Sequence, residues 1–232
     1  MRGEVSSAKF DKRHPLDWYV EQGWEWEQIV GVIGFASETL DRCTIWDPAC
    51  GYGHSLSRLQ GIGFEGQMLG TDLVNNIALE DFDQPEKLTF RPLEFFFDGG
   101  NAIAADRAFV PPERCSIWCN PPYSYTKIGG EIISQAFVRQ ALKLATHRVV
   151  MLLPLKWLAG QSRGAFLREH PPQQVLYFTQ RPSMPPGDRI KLMGNRAYSG
   201  GMVDYCAVVW DVRAPIAPGD TRSVWLPRLG ER

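Results

Sequence analysis

Short apolar runs closed off by turn residues alternate along this chain with stretches whose apolar positions recur at helical spacing. The runs predict strands over residues 44–47, 67–72, 88–97, 116–120, 148–154, 174–179 and 204–210, and helical spacing falls over 24–40, 55–59, 132–144 and 163–169. Near-continuous apolar strands separated by helices are the pattern of a parallel sheet covered on both faces. The last strand differs, because a turn-rich segment leads into it, and a return without a crossover helix predicts antiparallel pairing. The expectation is an α/β, Rossmann-like chain with a seven-stranded, mostly parallel sheet and an antiparallel last strand. Residues 211–232, rich in proline and arginine, read as a surface tail. No repeat, low-complexity tract or linker divides the chain.

A length of 232 residues fits one large α/β domain and leaves little room for a second core, so residues 1–232 are expected to form a single domain. A hydrophobic content of 44% and a charged content of 22% belong to an ordinary globular protein, and no apolar run approaches the roughly 20 residues that cross a bilayer. Residues 1–12 are polar and charged and lack the apolar stretch of a secretory signal, which predicts a cytoplasmic protein. The odd set Cys43, Cys50, Cys115, Cys119 and Cys206 sits mostly in apolar, strand-like segments and reads as reduced, buried thiols. Cys115 and Cys119 lack zinc-knuckle spacing and a following Cys/His pair, so no metal is expected. A net charge of −1 gives no global basic signature, and any contact with nucleic acid must be local.

The first strand runs directly into Asp47-Pro48-Ala49-Cys50-Gly51-Tyr52-Gly53, and helical spacing resumes at about position 54 or 55. Strand, glycine turn and helix form a ligand-binding arrangement, because Gly51 and Gly53 permit close backbone approach and the helix N-terminus offers free N–H groups. The glycines lack the third member of the dinucleotide fingerprint, and no Gly-Lys-Ser/Thr follows for a triphosphate. Asp72 ends the second strand, about twenty residues further on, where a carboxylate can accept hydrogen bonds from both hydroxyls of a ribose.

Asp-Pro-Ala-Cys-Gly-x-Gly, then Asp72, then Asn120-Pro121-Pro122-Tyr123 after the strand at 116–120, resembles the class I S-adenosylmethionine-dependent methyltransferases, in particular the amino-group DNA methyltransferases. The resemblance covers most of the chain. It implies that Asp47, Pro48, Ala49, Gly51 and Gly53 surround the methionine part of S-adenosylmethionine, that Asp72 with Leu73 holds the ribose, and that an acidic residue after the third strand meets the adenine. Glu94, followed by Phe95 and Phe96, is the candidate for that residue, with Asp98 as its rival. Asp17-Trp18-Tyr19 is similar to an aromatic segment that phage and prophage members place over the cofactor, which makes residues 1–40 a lid segment and Trp18 and Tyr19 its contacts.

The tetrapeptide suits methylation of an exocyclic amine conjugated to a ring, a poor nucleophile that is helped when its protons are accepted in hydrogen bonds. The Asn120 side-chain oxygen and the Pro121 carbonyl are two such acceptors, on a turn stiffened by Pro121 and Pro122. Tyr123 would stack on the target ring, a contact worth about 1 to 3 kcal/mol per base. The same tetrapeptide serves adenine and some cytosine amino groups, RNA bases and the glutamine amide of release factors. Its tyrosine form, its position after the glycine loop, and the likeness of the segment from Arg181 to Gly187 and of Gly200-Gly201 to small phage-type enzymes all favour adenine in DNA. Arg181, Arg189, Lys191 and Arg196, against Asp188, form a local basic patch placed to meet phosphates. Ser124, Tyr125, Lys127 and Gly129-Gly130 lie in a segment expected to move and close over the target. RNA methylation, methylation of a glutamine amide and a role as an inactive cofactor-binding scaffold stay open at this point.

Overall fold

The computed structural model describes residues 18–96, 109–124 and 126–228. Asp17, Asp98, Tyr125, the end of the expected third strand at residue 97 and residues 229–232 lie outside them. In chain order come α1 (Trp24–Ile33), α2 (Ala36–Leu40), β1 (Thr44–Asp47), α3 (His54–Gly61), β2 (Met68–Asp72), β3 (Leu88–Pro92) and β4 (Cys115–Cys119). A short hairpin, β5 (Lys127–Ile128) and β6 (Glu131–Ile132), leads into α4 (Ile133–Leu144). Then follow β7 (Arg148–Pro154), α5 (Gln161–Glu169), β8 (Gln174–Phe178), α6 (Ile190–Met193), β9 (Tyr205–Asp211) and β10 (Arg222–Leu226).

Eight strands form one sheet in the order β10-β8-β9-β7-β4-β1-β2-β3. All neighbours pair in parallel except β9, which lies antiparallel to β7 and to β8 on either side. The alternation of side chains across the sheet explains the apolar runs, since both faces are covered. Val149, Met151 and Leu153 face a core shared with Phe137, Val138 and Ala141 of α4 and Phe166 of α5. Val150 and Leu152 face the opposite core, with Trp26 and Ile29 of α1 and Leu56 and Leu59 of α3. The helices α1 and α2 are tied to the start of β7 by a buried ion pair. The Arg148 guanidinium donates to both Glu38 carboxylate oxygens, to the Ile33 carbonyl at 3.0 Å and to the Gly34 carbonyl at 2.7 Å.

Three expectations are corrected. The residues read as a tail contribute β10, so the sheet has eight strands among the described residues. Within β10, Val224 and Leu226 turn inward while Arg222, Ser223 and Trp225 face solvent. That one-sided alternation is what an edge strand needs, and Pro and Arg on its flanks masked it. The third strand stops at Pro92, after a last bond to β2 in which the Leu93 N–H donates to the Asp72 carbonyl at 2.9 Å. The apolar residues Leu93, Phe95 and Phe96 beyond it pack under the sheet's carboxyl edge instead of extending it. The helical run over 24–40 is two helices, parted where α1 ends with the Gly34 N–H donating to the Val30 carbonyl at 2.8 Å. No described helix is long and apolar enough to cross a membrane, and the five cysteines are free and buried.

Candidate active site

The carboxyl ends of β1, β2 and β4 meet at a cleft of about 250 Å3. From β1 the chain turns through Cys50, whose N–H donates to the Thr71 carbonyl at 3.1 Å, into Gly51 and Gly53. Gly51 has φ 52° and Gly53 φ 81°, left-handed values that would strain any residue with a side chain. A Cβ on Gly51 would come within 2.5 Å of the Trp18 indole nitrogen, so the loop and the residues before α1 approach as closely as backbone permits. The Gly51 N–H donates to Asp72 at 2.8 Å, which fixes the end of β2 against the glycine turn. Burial raises the Asp72 pKa, opposed by the N–H groups of Gly51, Val74 and Leu73.

Of the residues expected at a cofactor, Trp18, Tyr19, Pro48, Ala49, Gly51, Asp72, Leu73, Glu94, Phe95 and Asn120 all line this one cleft, joined by Pro122 and Ser124. Asp47 does not line it. Its carboxylate is 1% exposed, accepts from the Ala49 N–H at 3.1 Å, and is pushed up by burial to a pKa of about 7. Asp47 shapes the turn from behind, as Gly53 does by capping α3. One wall is aromatic: the Phe95 ring lies 4.8 Å from that of Phe137 and 5.4 Å from that of Trp46, and Phe96 meets Phe137 edge-on at 5.2 Å. One oxygen of Glu94 is buried there with no hydrogen-bond partner among the described residues.

The tetrapeptide leaves β4 beside the glycine turn. The Asn120 amide nitrogen donates to Glu21 at 2.8 Å and to the Tyr19 carbonyl at 3.3 Å. Tyr123 is turned behind the cleft and does not line it. Its hydroxyl donates to the Leu152 carbonyl at 2.7 Å and touches the Asn120 side-chain oxygen, and its ring lies 5.9 Å from that of Tyr205. Pro121 is buried beneath the turn. The segment after it is a hairpin, with Gly129 and Gly130 at its tip, Lys127 exposed and Thr126 and Ile128 lining the cleft.

The loop between β8 and β9 closes the other side. Tyr19 bridges Pro186, the Val20 N–H donates to the Pro185 carbonyl at 3.0 Å, and the Gly187 N–H donates to the Trp18 carbonyl at 3.1 Å. Tyr52 donates from its hydroxyl to the Gly187 carbonyl at 3.0 Å. Arg181 pairs with Asp204 at 2.7 Å, Lys191 and Arg196 are exposed and Arg189 is half-buried; none of these cations lines the cleft. Among the described residues no group of three or more His, Cys, Asp or Glu side chains is placed to hold a metal ion.

Sequence reasoning missed Glu21, Val74, Asn76, Leu93, Ile133 and Phe137, and reached Thr126 and Ile128 only as part of the segment from Ser124 to Gly130. The apolar ones carried only the signal of core residues. Glu21 carried none, because a glutamate followed by Gln22 reads as surface, yet it is 2% exposed.

No family model and no curated protein matches this sequence. Solved structures do match its fold. A protein of Listeria monocytogenes assigned to the class I S-adenosylmethionine-dependent methyltransferases superposes with a TM-score of 0.54 at 14% identity, over 88% of this chain and 66% of that one. The type IIG restriction endonuclease BpuSI gives 0.55 at 12% identity, over 83% of this chain and 25% of its own. DrdV, solved in complex with DNA, gives 0.54 at 12% identity, over 91% and 28%. The chain thus spans about two thirds of the first and about a quarter of the two larger proteins. With the sheet order, the reversed β9 and the cleft at the carboxyl ends of its strands, this chain has the fold of the class I S-adenosylmethionine-dependent methyltransferases.

Proposed function

We propose that this chain transfers a methyl group from S-adenosylmethionine to the exocyclic amino group of adenine in DNA. The observation that carries the reading is one cleft in which Asn120 of the tetrapeptide faces the glycine turn, Asp72 and Glu94. The cleft suits the cofactor. Glu94 has a buried carboxylate oxygen that no described residue satisfies, and such an orphan is costly unless a donor such as a purine amino group meets it. Asp72 offers acceptor oxygens for ribose hydroxyls, Gly51 brings backbone to the cleft wall without a side chain, and Phe95 and Phe96 supply an apolar, aromatic wall.

When bound, the cofactor would supply a sulfonium-activated methyl, departing as the neutral thioether while the methylated amine releases one proton to water. The chain's own part is placement. Asn120 and the Pro121 carbonyl accept the amine protons and aim its lone pair along the line of transfer. In this reading Tyr123 swings out from behind the cleft to stack on the target ring, and Pro122 and Ser124 border that ring. The loop carrying Arg189 and Lys191, with Arg181 and with Lys127 of the hairpin, is the surface for phosphates. Two proteins of the same fold support nucleic acid as the substrate, one a restriction endonuclease and one solved with DNA.

Labelled methyl transfer to single- and double-stranded DNA, to RNA and to release factors tests this. Label is expected on adenine in DNA, and Asn120→Ala should lower the rate by about a hundredfold or more, the usual scale for losing one group that stabilises a transition state. Label on RNA or on protein alone overturns the DNA reading. Retained activity in Asn120→Ala overturns the role of the tetrapeptide.

A further inference from the structure

The two ends of an asparagine amide have almost the same shape, so packing alone does not decide which end points at a substrate. Only hydrogen-bond partners decide it. At Asn120 the deciding partner lies on the segment before α1, far from the tetrapeptide in sequence. Glu21, 2% exposed, accepts from three side chains: Trp26 through its indole N–H at 2.8 Å, Ser55 through its hydroxyl at 2.7 Å, and Asn120 through its amide at 2.8 Å. Trp26 and Ser55 share one carboxylate oxygen, and the other is left to Asn120. The Tyr19 carbonyl, a second pure acceptor, faces the same amide nitrogen at 3.3 Å.

We propose that Glu21 is a positioning residue that holds the Asn120 amide with its nitrogen inward and its oxygen outward, where it meets the Tyr123 hydroxyl and accepts from the substrate amine once Tyr123 has swung out. Two acceptors on one side of the amide leave no place there for an oxygen. The remaining end is the acceptor that the transferred-to amine needs. Trp26 is 0% exposed and its indole nitrogen can only donate, so it pins the carboxylate as the carboxylate pins the amide. The inference rests on the proposed amino-group transfer.

Its test is a reversal of polarity. In Glu21→Gln the new amide must turn its oxygen to Trp26, which only donates, and so presents its nitrogen to Asn120. Asn120 then flips and shows N–H groups to the substrate. The turnover rate kcat is expected to fall about a hundredfold, while affinity for S-adenosylmethionine stays within about threefold. Asn120→Asp alone sets two carboxylates face to face and is also expected to be poor. The double variant Glu21→Gln/Asn120→Asp restores the match to residue 21 and leaves only the Tyr19 carbonyl unmatched, since the new aspartate accepts from the new glutamine with one oxygen and offers the other to the substrate. Its kcat is expected to exceed that of either single variant by at least about tenfold.

A readout without turnover is the Asn120 side-chain amide in the NMR spectrum of the free protein. Slow proton exchange is expected in the native protein and fast exchange in Glu21→Gln. Native kcat in Glu21→Gln, or a double variant no better than Asn120→Asp, overturns the positioning role. If the native protein methylates nothing, the proposed function fails while the exchange rates still decide the orientation of Asn120: protection lost in Glu21→Gln supports the role, and unchanged protection overturns it.

Discussion

Asp47 and Glu25 are carboxylates folded into surroundings that disfavour their charge. Glu25 is fully buried and accepts from the Gly23 N–H at 2.8 Å, but burial, then the nearby Glu21, push its pKa up to about 8; burial pushes Asp47 to about 7. Both carboxyls therefore hold a proton in the native state at pH values where the unfolded chain has lost it. With more protons bound natively, stability falls as pH rises, by up to about 1.4 kcal/mol per pH unit for each group. The decline begins near the unfolded pKa, about 4, and ends near pH 7 for Asp47 and near pH 8 for Glu25. Urea denaturation between pH 5 and 9 should show it, and Asp47→Asn should make the decline below pH 7 shallower by removing its own contribution, while that of Glu25 persists up to pH 8. A flat profile in the native protein would refute this account.

At the same scale the sequence is uneven in what it reveals. Gly51, Asp72 and Asn120 are legible because their chemistry forces residue type and spacing together: a left-handed turn, a carboxylate at a strand end, an amide on a stiff corner. Glu94 is legible as a candidate only. Glu21 is hidden, since its partners Trp26, Ser55 and Asn120 come from three separate elements and no local pattern records their meeting.

Among elements, the loop between β8 and β9 lines no part of the cleft but holds Trp18 and Tyr19, which do. A Cβ built on Gly187 would lie 2.3 Å from the Trp18 ring, with two more ring atoms within 2.7 Å. Gly187→Ala must therefore displace Trp18, which also meets Tyr52 edge-on at 4.5 Å. Weaker binding of S-adenosylmethionine, by about tenfold or ~1.4 kcal/mol, is the expected result in a calorimetric titration. Unaltered affinity would mean that Trp18 is not part of the binding surface. Long buried strands such as β7 declare themselves in sequence because both faces are apolar. Where only one face is buried, as in β10, the alternation is short and easily lost among Pro and Arg. The run ending at residue 97 misleads for the opposite reason, since the walls of a ligand cleft are as apolar as a strand.

Across the whole molecule, the sheet ends at β10, and Leu226 is the residue that seals that edge. It is 1% exposed, and its carbonyl accepts from the Thr179 hydroxyl at 2.7 Å. Beside it Trp225 stacks on Tyr177 with ring centres 5.2 Å apart. Leu226→Ala is expected to cost about 2 to 4 kcal/mol, seen as a lower urea midpoint with little change in slope. An unmoved midpoint would mean that β10 docks after the rest has folded and adds nothing to the cooperative unit.

The pairing of Tyr19 and Val20 with Pro185 and Pro186 has a temporal side. Translation delivers residues 18–21 early, and they wait for residues 184–187 to emerge before the bridge can form. Until then the Trp18 carbonyl lacks the Gly187 N–H and the Tyr52 hydroxyl lacks the Gly187 carbonyl. A ribosome-bound chain that stops short of these prolines can lay down β1, β2 and β4 without gaining a closed pocket. Ligand capture is thereby tied to the arrival of residues 184–187.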